Sequence, residues 1–416
     1  MPESATSLTH HRSFVLFWCA RTFTNGAYMM QGVAVGWQIY ELTNDPLDLG
    51  LVGLVQFVPL LAFSLVIGQV ADLFDRRLVV ATCQIGKALA ALVLALGTVR
   101  GFLTRDAMLA VLFLSGTARA FEMPTIHALL PGVVPPMLLP RAIAASASAQ
   151  QTAVICGPSL GGLIYTTLGA AAVYAICAAV FVAASVVISL VRLGPHSKVA
   201  NGEQEKRKPL SVETLFAGFR YIASRPILLG AISLDLFAVL LGGVTALLPI
   251  YARDILQAGP WALGVLRSAP AVGALAISVV LARSAIAGRA GRIMFAAVGI
   301  FGLASLLFGL STSMALSFLA LVVYGASDAV SVVIRQSLVQ MRTPYDMLGR
   351  VLAVNSMFTG SSGALGEFRA GAVAAWLGAV PSALIGGVGT IVVMLIWMWR
   401  FPQLRRVDKL APEVPP

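Results

Sequence analysis

Charge is what this chain has least of. Only 11% of its 416 residues are Asp, Glu, Lys or Arg, less than half the roughly 25% of an ordinary soluble domain. A soluble fold could not cover its surface with so few. Cysteine and histidine are equally sparse. Cys19, Cys83, Cys156 and Cys177 lie in apolar stretches without C-x-x-C spacing, which speaks against a disulfide framework or a zinc site. His10, His11, His127 and His196 are scattered, and neither H-E-x-x-H nor G-x-x-x-x-G-K-[ST] occurs. A zinc protease and a P-loop pump therefore lose support; no metal and no organic cofactor are expected. Nucleophile, base and orienting group do not appear together, so an enzyme is not expected either.

What the chain has in abundance is apolar sequence: 58% of residues are hydrophobic and the mean hydropathy is +0.88. A helix needs about 20 apolar residues to cross the hydrocarbon of a bilayer. Breaks at Gly, Pro and charge clusters predict twelve spans, at 14–40, 50–71, 78–98, 106–128, 142–168, 170–192, 226–250, 260–284, 291–311, 313–336, 351–377 and 380–400. The first is too long for a signal-peptide core and is expected to stay as helix 1. The fold class is thus an all-α membrane protein with twelve transmembrane helices in two six-helix bundles, residues 1–192 and 226–416, joined by a cytoplasmic linker at 193–225. In the linker, Val212, Phe216 and Phe219 share one helical face, the pattern of an amphipathic helix lying on the membrane.

Lys and Arg set the orientation. Twenty-one of the 29 fall on the side of the termini and linker, three on the other, and five inside spans. Both termini are therefore expected in the cytoplasm. Topology accounts for the net charge of +11, and no nucleic-acid partner is expected. Short loops and few outer charges point to a bacterial inner membrane.

The two halves register on each other. Val52 to Pro59 lies over Leu263 to Pro270 at an offset of 211. At 209, Gly116 to Arg119 meets Gly325 to Asp328, Arg141 to Ser146 meets Arg350 to Asn355, and Gly157-Pro158 meets Gly366-Glu367. The matches join same-numbered helices, which indicates parallel six-helix repeats.

The loop after helix 2 carries Gly68, Asp72, Arg76 and Arg77 in the spacing G-x-x-x-D-x-x-x-R-R. It resembles the loop motif of the major facilitator superfamily. Gly157-Pro158-Ser-Leu-Gly161-Gly162 in helix 5 is similar to the G-P-x-x-G-G motif of that superfamily's proton-coupled exporters, with Ala153 where the motif usually has a further glycine. Stretches at 32–40, 251–256 and 349–356 resemble its enterobactin-exporter-like, or transmembrane secretion effector, branch. The resemblance implies a latch in which Asp72 meets the start of helix 11 near Arg350. It also implies that the glycine face of helix 5 seals the two halves against proton leak.

Charge within a bilayer costs at least about 2.5–3.5 kcal/mol at the midplane and marks a pathway or a pair. Four acids qualify, Glu122, Asp235, Asp328 and Glu367. Asp235 falls near the middle of helix 7 and registers with Asn25 of helix 1 at an offset of 210. Asn25 and Asp235 are therefore the expected cavity-lining pair, with Asp235 as leading proton carrier and a permanent ion pair with a neighbour such as Arg21 as its alternative. Arg119 and Glu122, three residues apart, can pair with each other or with substrate. Arg119 and Asp328 occupy equivalent repeat positions, so a cross-cavity interaction is open. Glu367 and Glu122 are further proton candidates, Gln31 a further cavity residue, and Arg335 is read as a topology anchor. The expected function is proton-driven export of a small amphipathic molecule such as a siderophore or drug, by a monomer whose halves rock about a midplane site. The alternatives are a proton-coupled nutrient importer and a non-transporting receptor.

Overall fold

The computed structural model describes residues 8–63, 66–67, 70, 73–192, 212–283 and 288–408. Helices α1 (Arg12–Thr43), α2 (Pro46–Ala62), α3 (Arg76–Arg100), α4 (Arg105–Leu129) and α5 (Leu139–Ser189) come first. The last is two helices in one, because Gly169 leaves helical backbone at φ 82, ψ 174, a conformation that glycine alone adopts readily. Counting its two arms separately, six long helices precede the short α6 (Val212–Ser224). Six follow it: α7 (Pro226–Gly242), α8 (Gly259–Arg283), α9 (Ala290–Leu310), α10 (Met314–Arg342), α11 (Tyr345–Leu377) and α12 (Ala379–Arg400). No strand occurs among the described residues.

Among the described residues, seven segments are long and apolar enough to cross a membrane on composition alone. The helices that fall short have a physical reason to. Helix α2 is 17 residues long. Helices α1, α4 and α11 carry the polar residues of the functional clusters described below, Arg21, Arg119, Glu122, Glu367 and Arg369 among them.

The chain divides into two compact units. One holds residues up to Leu42 and from Val55 through α5; the other holds Thr43–Leu54 and everything from α6 onward. The first turns of α2 thus pack with the second unit, whereas the sequence reading places them in the first bundle. Bare backbone explains it. A Cβ on Gly50 would lie 2.9 Å from the Phe368 carbonyl, and one on Gly371 would lie 2.7 Å from that of Pro46. Glycine on both helices lets α2 and α11 touch backbone to backbone.

Each unit has its own apolar core. In the first, Phe14 and Phe17 of α1 meet Val80, Ile126, Leu129 and Ile188. In the second, Leu234 and Ala238 of α7 meet Met294, Phe295, Val298 and Leu338.

The internal duplication is visible in these contacts. Gly116 packs against Gln56 of α2, and its repeat mate Gly325 packs against Pro270 of α8. A Cβ on Gly157 would lie 2.7 Å from Met29 Cβ of α1, and one on Gly366 would lie 2.8 Å from the Val239 carbonyl of α7. Met29 and Val239 are related by the same offset of 210 that relates Asn25 to Asp235. Equivalent glycines therefore bring equivalent helices together in both units.

Helix α6 does not simply lie on the membrane. Ile222 is buried with Val351 and Val354 of α11, Phe219 meets Phe358 at a centroid distance of 6.4 Å, and Gly218 abuts the Arg350 carbonyl. Phe216 remains outward, 68% exposed, and is free to meet lipid.

Asp75 caps α3. Its carboxylate accepts from the Arg77 backbone N–H at 2.9 Å and pairs with the Arg77 guanidinium at 2.7 Å. The bonds from Arg77 hold this carboxyl below the usual carboxylate range. Asp75→Ala should cost about 1 kcal/mol, a typical N-cap loss. Because the folded pKa is depressed, that advantage is complete above the usual carboxylate range and is lost as pH falls through the folded value. Thermal unfolding of wild type and variant should therefore differ at neutral pH and converge in acid.

Candidate functional site: two buried charge clusters

In the first unit, Gln84 and Lys87 are three residues apart on α3 and face Glu122 on α4. Lys87 Nζ lies 2.5 Å from Glu122 Oε2, and Gln84 Nε2 donates to Oε1 at the same distance. Lys87 is 2% exposed and Glu122 4%, and the ammonium sits 4.8 Å from the Phe181 ring centroid. One cation, one anion and one amide thus form a closed neutral group. Glu122 is occupied, so the expected pairing of Glu122 with Arg119 does not form. Arg119 turns instead to Tyr28, its guanidinium 3.8 Å from the ring centroid.

Tyr28 donates to Gln56 Oε1 at 2.6 Å, and Asn25 donates to Gln150 Oε1 at 2.8 Å. Arg21, Asn25 and Tyr28 follow at intervals of four and three on α1, so they share one face. Arg21 lies in the electrostatic field of Glu122. Gln31 is buried, and its Oε1 has no hydrogen-bond partner among the described residues.

The second unit solves the same problem differently. Asp235 Oδ2 lies 2.7 Å from Arg335 Nη1, with both residues under 5% exposed. The angle does not make it a hydrogen bond, and Oδ2 has none. The guanidinium also donates to Thr359 Oγ1 at 3.1 Å and to Asn355 Oδ1 at 3.4 Å. Asp328, half-buried on α10, feels the charges of both Asp235 and Arg335. It makes no ion pair or hydrogen bond of its own among the described residues. A cavity of about 10 Å³ is lined by Asp235, Asp328, Ser327, Ser331 and Phe301, space for a single water. Asp235 and Asp328 thus face the same small cavity, and of the two Asp235 is the one paired with the guanidinium.

Arg335 is therefore no topology anchor. Helix α10 runs to Arg342, past the expected end at 336, so Arg335 sits two turns inside the helix and is 2% exposed. Asp235 takes Arg335, not Arg21, as its partner. Asn25 and Asp235, expected to line the cavity, have their partners on α5 and α10 respectively. Glu367 stands near Arg267, accepts from Thr245 and lies against the bare backbone of Gly53. Arg369 Nη2 donates to the Gly243 carbonyl at 3.5 Å.

Of the loop motif, Gly68 and Asp72 lie outside the described residues. Arg76 donates to the Ala128 carbonyl and Arg77 to that of Val191, both at 3.2 Å. These arginines tie the start of α3 to the ends of α4 and α5. Arg350 is exposed and contacts Met347 Sδ. The glycines of helix 5 do pack tightly, but against α1 of the same unit: a Cβ on Gly161 would lie 2.8 Å from Met30 Cα. Gly162 and Pro158 are buried beside them.

Lys87, Gln84, Arg335 and Thr359 are functional neighbours that motif reading passes over. A lone Lys in the middle of an apolar helix is itself the missed signal, since the bilayer requires it to find an acid.

The chain matches a sequence family described as transmembrane secretion effector over residues 4–414. Among curated proteins it is 28% identical to the enterobactin exporter EntS of Escherichia coli O81 (strain ED1a), covering 98% of this chain and 96% of that one. The same figures hold for EntS of Shigella boydii serotype 18 (strain CDC 3083-94 / BS512). Solved structures share its fold. A bacterial homologue of the lysosomal transporter Spinster, inward-facing and occupied, aligns with a TM-score of 0.75 at 13% identity, over 95% of this chain and 98% of that one. The nucleoside transporter NupG aligns at 0.72 and 16% identity, over 94% and 99%.

If the Lys87–Glu122 pair holds the first unit together, Lys87→Met alone should cost about 3–5 kcal/mol, because it strands a buried carboxylate. Lys87→Met with Glu122→Leu should recover most of that. Equal losses of thermal stability in the single and double variants would show that the pair is not what the unit relies on.

Proposed function

The chain belongs to the transmembrane secretion effector family of major facilitator transporters, and from that premise we propose that it exports a small amphipathic molecule in exchange for protons. It is a transporter and a multi-pass membrane protein, not an enzyme. Relatives named as exporters over their full length support efflux, and a siderophore or drug suits the small, mostly apolar, sparsely charged character of the membrane interior. The proposed setting is the bacterial inner membrane, with both termini cytoplasmic and a single chain as the working unit. The energy source is the proton gradient, and exchange proceeds by alternating access.

One arrangement carries the coupling: Asp235, ion-paired to Arg335, and Asp328, which lines the same cavity within the field of both charges and has no ion pair of its own among the described residues. Two carboxylates beside one cation cannot both stay ionised cheaply in a low dielectric, so the pair shares a proton and titrates as a unit. Arg335 remains with whichever carboxylate is ionised. Entry of a proton on one side and its release on the other then changes the net charge of the cluster by one. At 100 mV one such charge is worth about 2.3 kcal/mol, enough for modest concentration of cargo. Glu122 is already neutralised by Lys87 and serves structure, and Glu367 near Arg267 is a secondary acid. In the first unit, Arg21, Asn25, Tyr28 and Arg119 offer the polar face for cargo.

The test is proton release in proteoliposomes, read by an interior pH dye while siderophore and drug panels are supplied. Asp328→Asn and Asp235→Asn should each lower cargo-dependent proton flux by about 10²-fold, the lower end of what a positioned proton-transfer group supplies. Full flux in both variants would overturn the coupling, and cargo accumulation in intact cells instead of depletion would overturn export.

A further inference from the structure

Helices α9 and α12 of the second unit enclose a groove of about 400 Å³ lined by Phe295, Ala296, Gly299, Met394 and Met398, with Arg292 and Arg405 at one end. That volume is within the roughly 300–1,000 Å³ range of small-molecule sites. The sequence builds it simply. Arg292, Phe295, Ala296 and Gly299 stand at positions i, i+3, i+4 and i+7 on α9, and Met394 and Met398 are four apart on α12, so each set lies on one helical face. Gly299 leaves the inner end open, since a Cβ there would already lie 3.3 Å from Met394 Cε. From Arg292 to Gly299 the groove descends about 10 Å at 1.5 Å per residue.

The mouth is held in place by the chain's last described turn. The N–H of Gly291 donates to the Val407 carbonyl at 3.0 Å and that of Ala290 to the Asp408 carbonyl at 3.3 Å. A Cβ at Gly291 would collide with the Leu404 carbonyl. This docking sets Arg405 beside Arg292. Both are exposed, and neither side chain has an ion pair or hydrogen bond among the described residues. Arg289, Arg400 and Arg406 are exposed at the same end, against one acid among the described residues there, Asp408.

An apolar cleft between membrane helices, opening at a doubly basic mouth where both helices leave the bilayer, has the chemistry of one ligand. The geometry points to a site for an anionic phospholipid, its phosphate between Arg292 and Arg405 and an acyl chain along Phe295, Gly299 and the two methionines. Charge complementarity selects the headgroup, because a zwitterionic lipid gains little from two unpaired guanidinium groups, and the depth of the cleft selects a lipid over a free anion. Methionines suit an acyl chain because their flexible thioethers adapt to an irregular partner.

Native mass spectrometry of the purified full chain tests this with phosphatidylglycerol and phosphatidylcholine of matched chains. Wild type should retain phosphatidylglycerol preferentially. Arg292→Gln with Arg405→Gln should lower that preference roughly tenfold to thirtyfold, since each basic group near an anionic surface contributes about fivefold. Arg292→Lys with Arg405→Lys should keep most of it. Both arginines are exposed, so the substitutions leave the core intact, and unchanged thermal unfolding checks this. Equal retention of the two lipids by wild type, or an undiminished preference in the double Gln variant, would overturn the site. Displacement of the lipid by glycerophosphoglycerol at equal concentration would overturn the acyl groove.

Discussion

A charge inside a bilayer-spanning helix has no water to turn to, and this constraint organises the chain. Each unit meets it with a cation and an acid on different helices. Lys87 of α3 and Glu122 of α4 do so in the first; Asp235 of α7 and Arg335 of α10 do so in the second. The two solutions are not equivalent. Around Glu122 the charges cancel and an amide satisfies the second oxygen. Around Arg335 a further acid, Asp328, stands without a cation of its own. A balanced cluster favours one arrangement, whereas an unbalanced one changes with its proton. The two clusters thus differ by one carboxylate: the first is charge-balanced, and the second holds an acid that the guanidinium of Arg335 does not pair with.

Glycine does the complementary work. The duplicated pairs at Gly116 and Gly325, and at Gly157 and Gly366, put backbone against the neighbouring helix at matching places in the two units. Polar side chains then reach each other across short distances, which is how Asn25 of α1 meets Gln150 of α5. Close packing and charge pairing are thus one design, repeated and then diverged in its ionisable residues.

Much of this was legible in the sequence. The helices, the repeat offset and the family follow from hydropathy, register and motif, because these depend on local composition. Asp235 announced itself as a charge in the middle of a span. Its partner did not, because Arg335 stood near an apparent helix end. Only the continuation of α10 to Arg342 puts it inside. Lys87 was visible as a charge but not as half of a pair, since pairing depends on which faces of α3 and α4 meet. The glycines of helix 5 were recognised, yet their partner α1 was not, because a bare face records that something comes close and not what. Nor did the amphipathic pattern of α6 distinguish a lipid surface from the side of α11.

The pairing of Lys87 with Glu122 also bears on how the chain enters the membrane. The two residues are 35 positions apart, on helices separated by a turn that begins at Gly101 in left-handed conformation. While α3 leaves the insertion machinery alone, its central lysine has no acid to meet and carries the insertion cost of a lone cation, about 2.5–3.5 kcal/mol at the midplane. Once α4 follows, the same lysine is half of a neutral group. Composition alone lets α3 cross a membrane, and pairing with Glu122 removes the cost of its lysine, so the α3–α4 hairpin is a better guest of the lipid than α3 by itself.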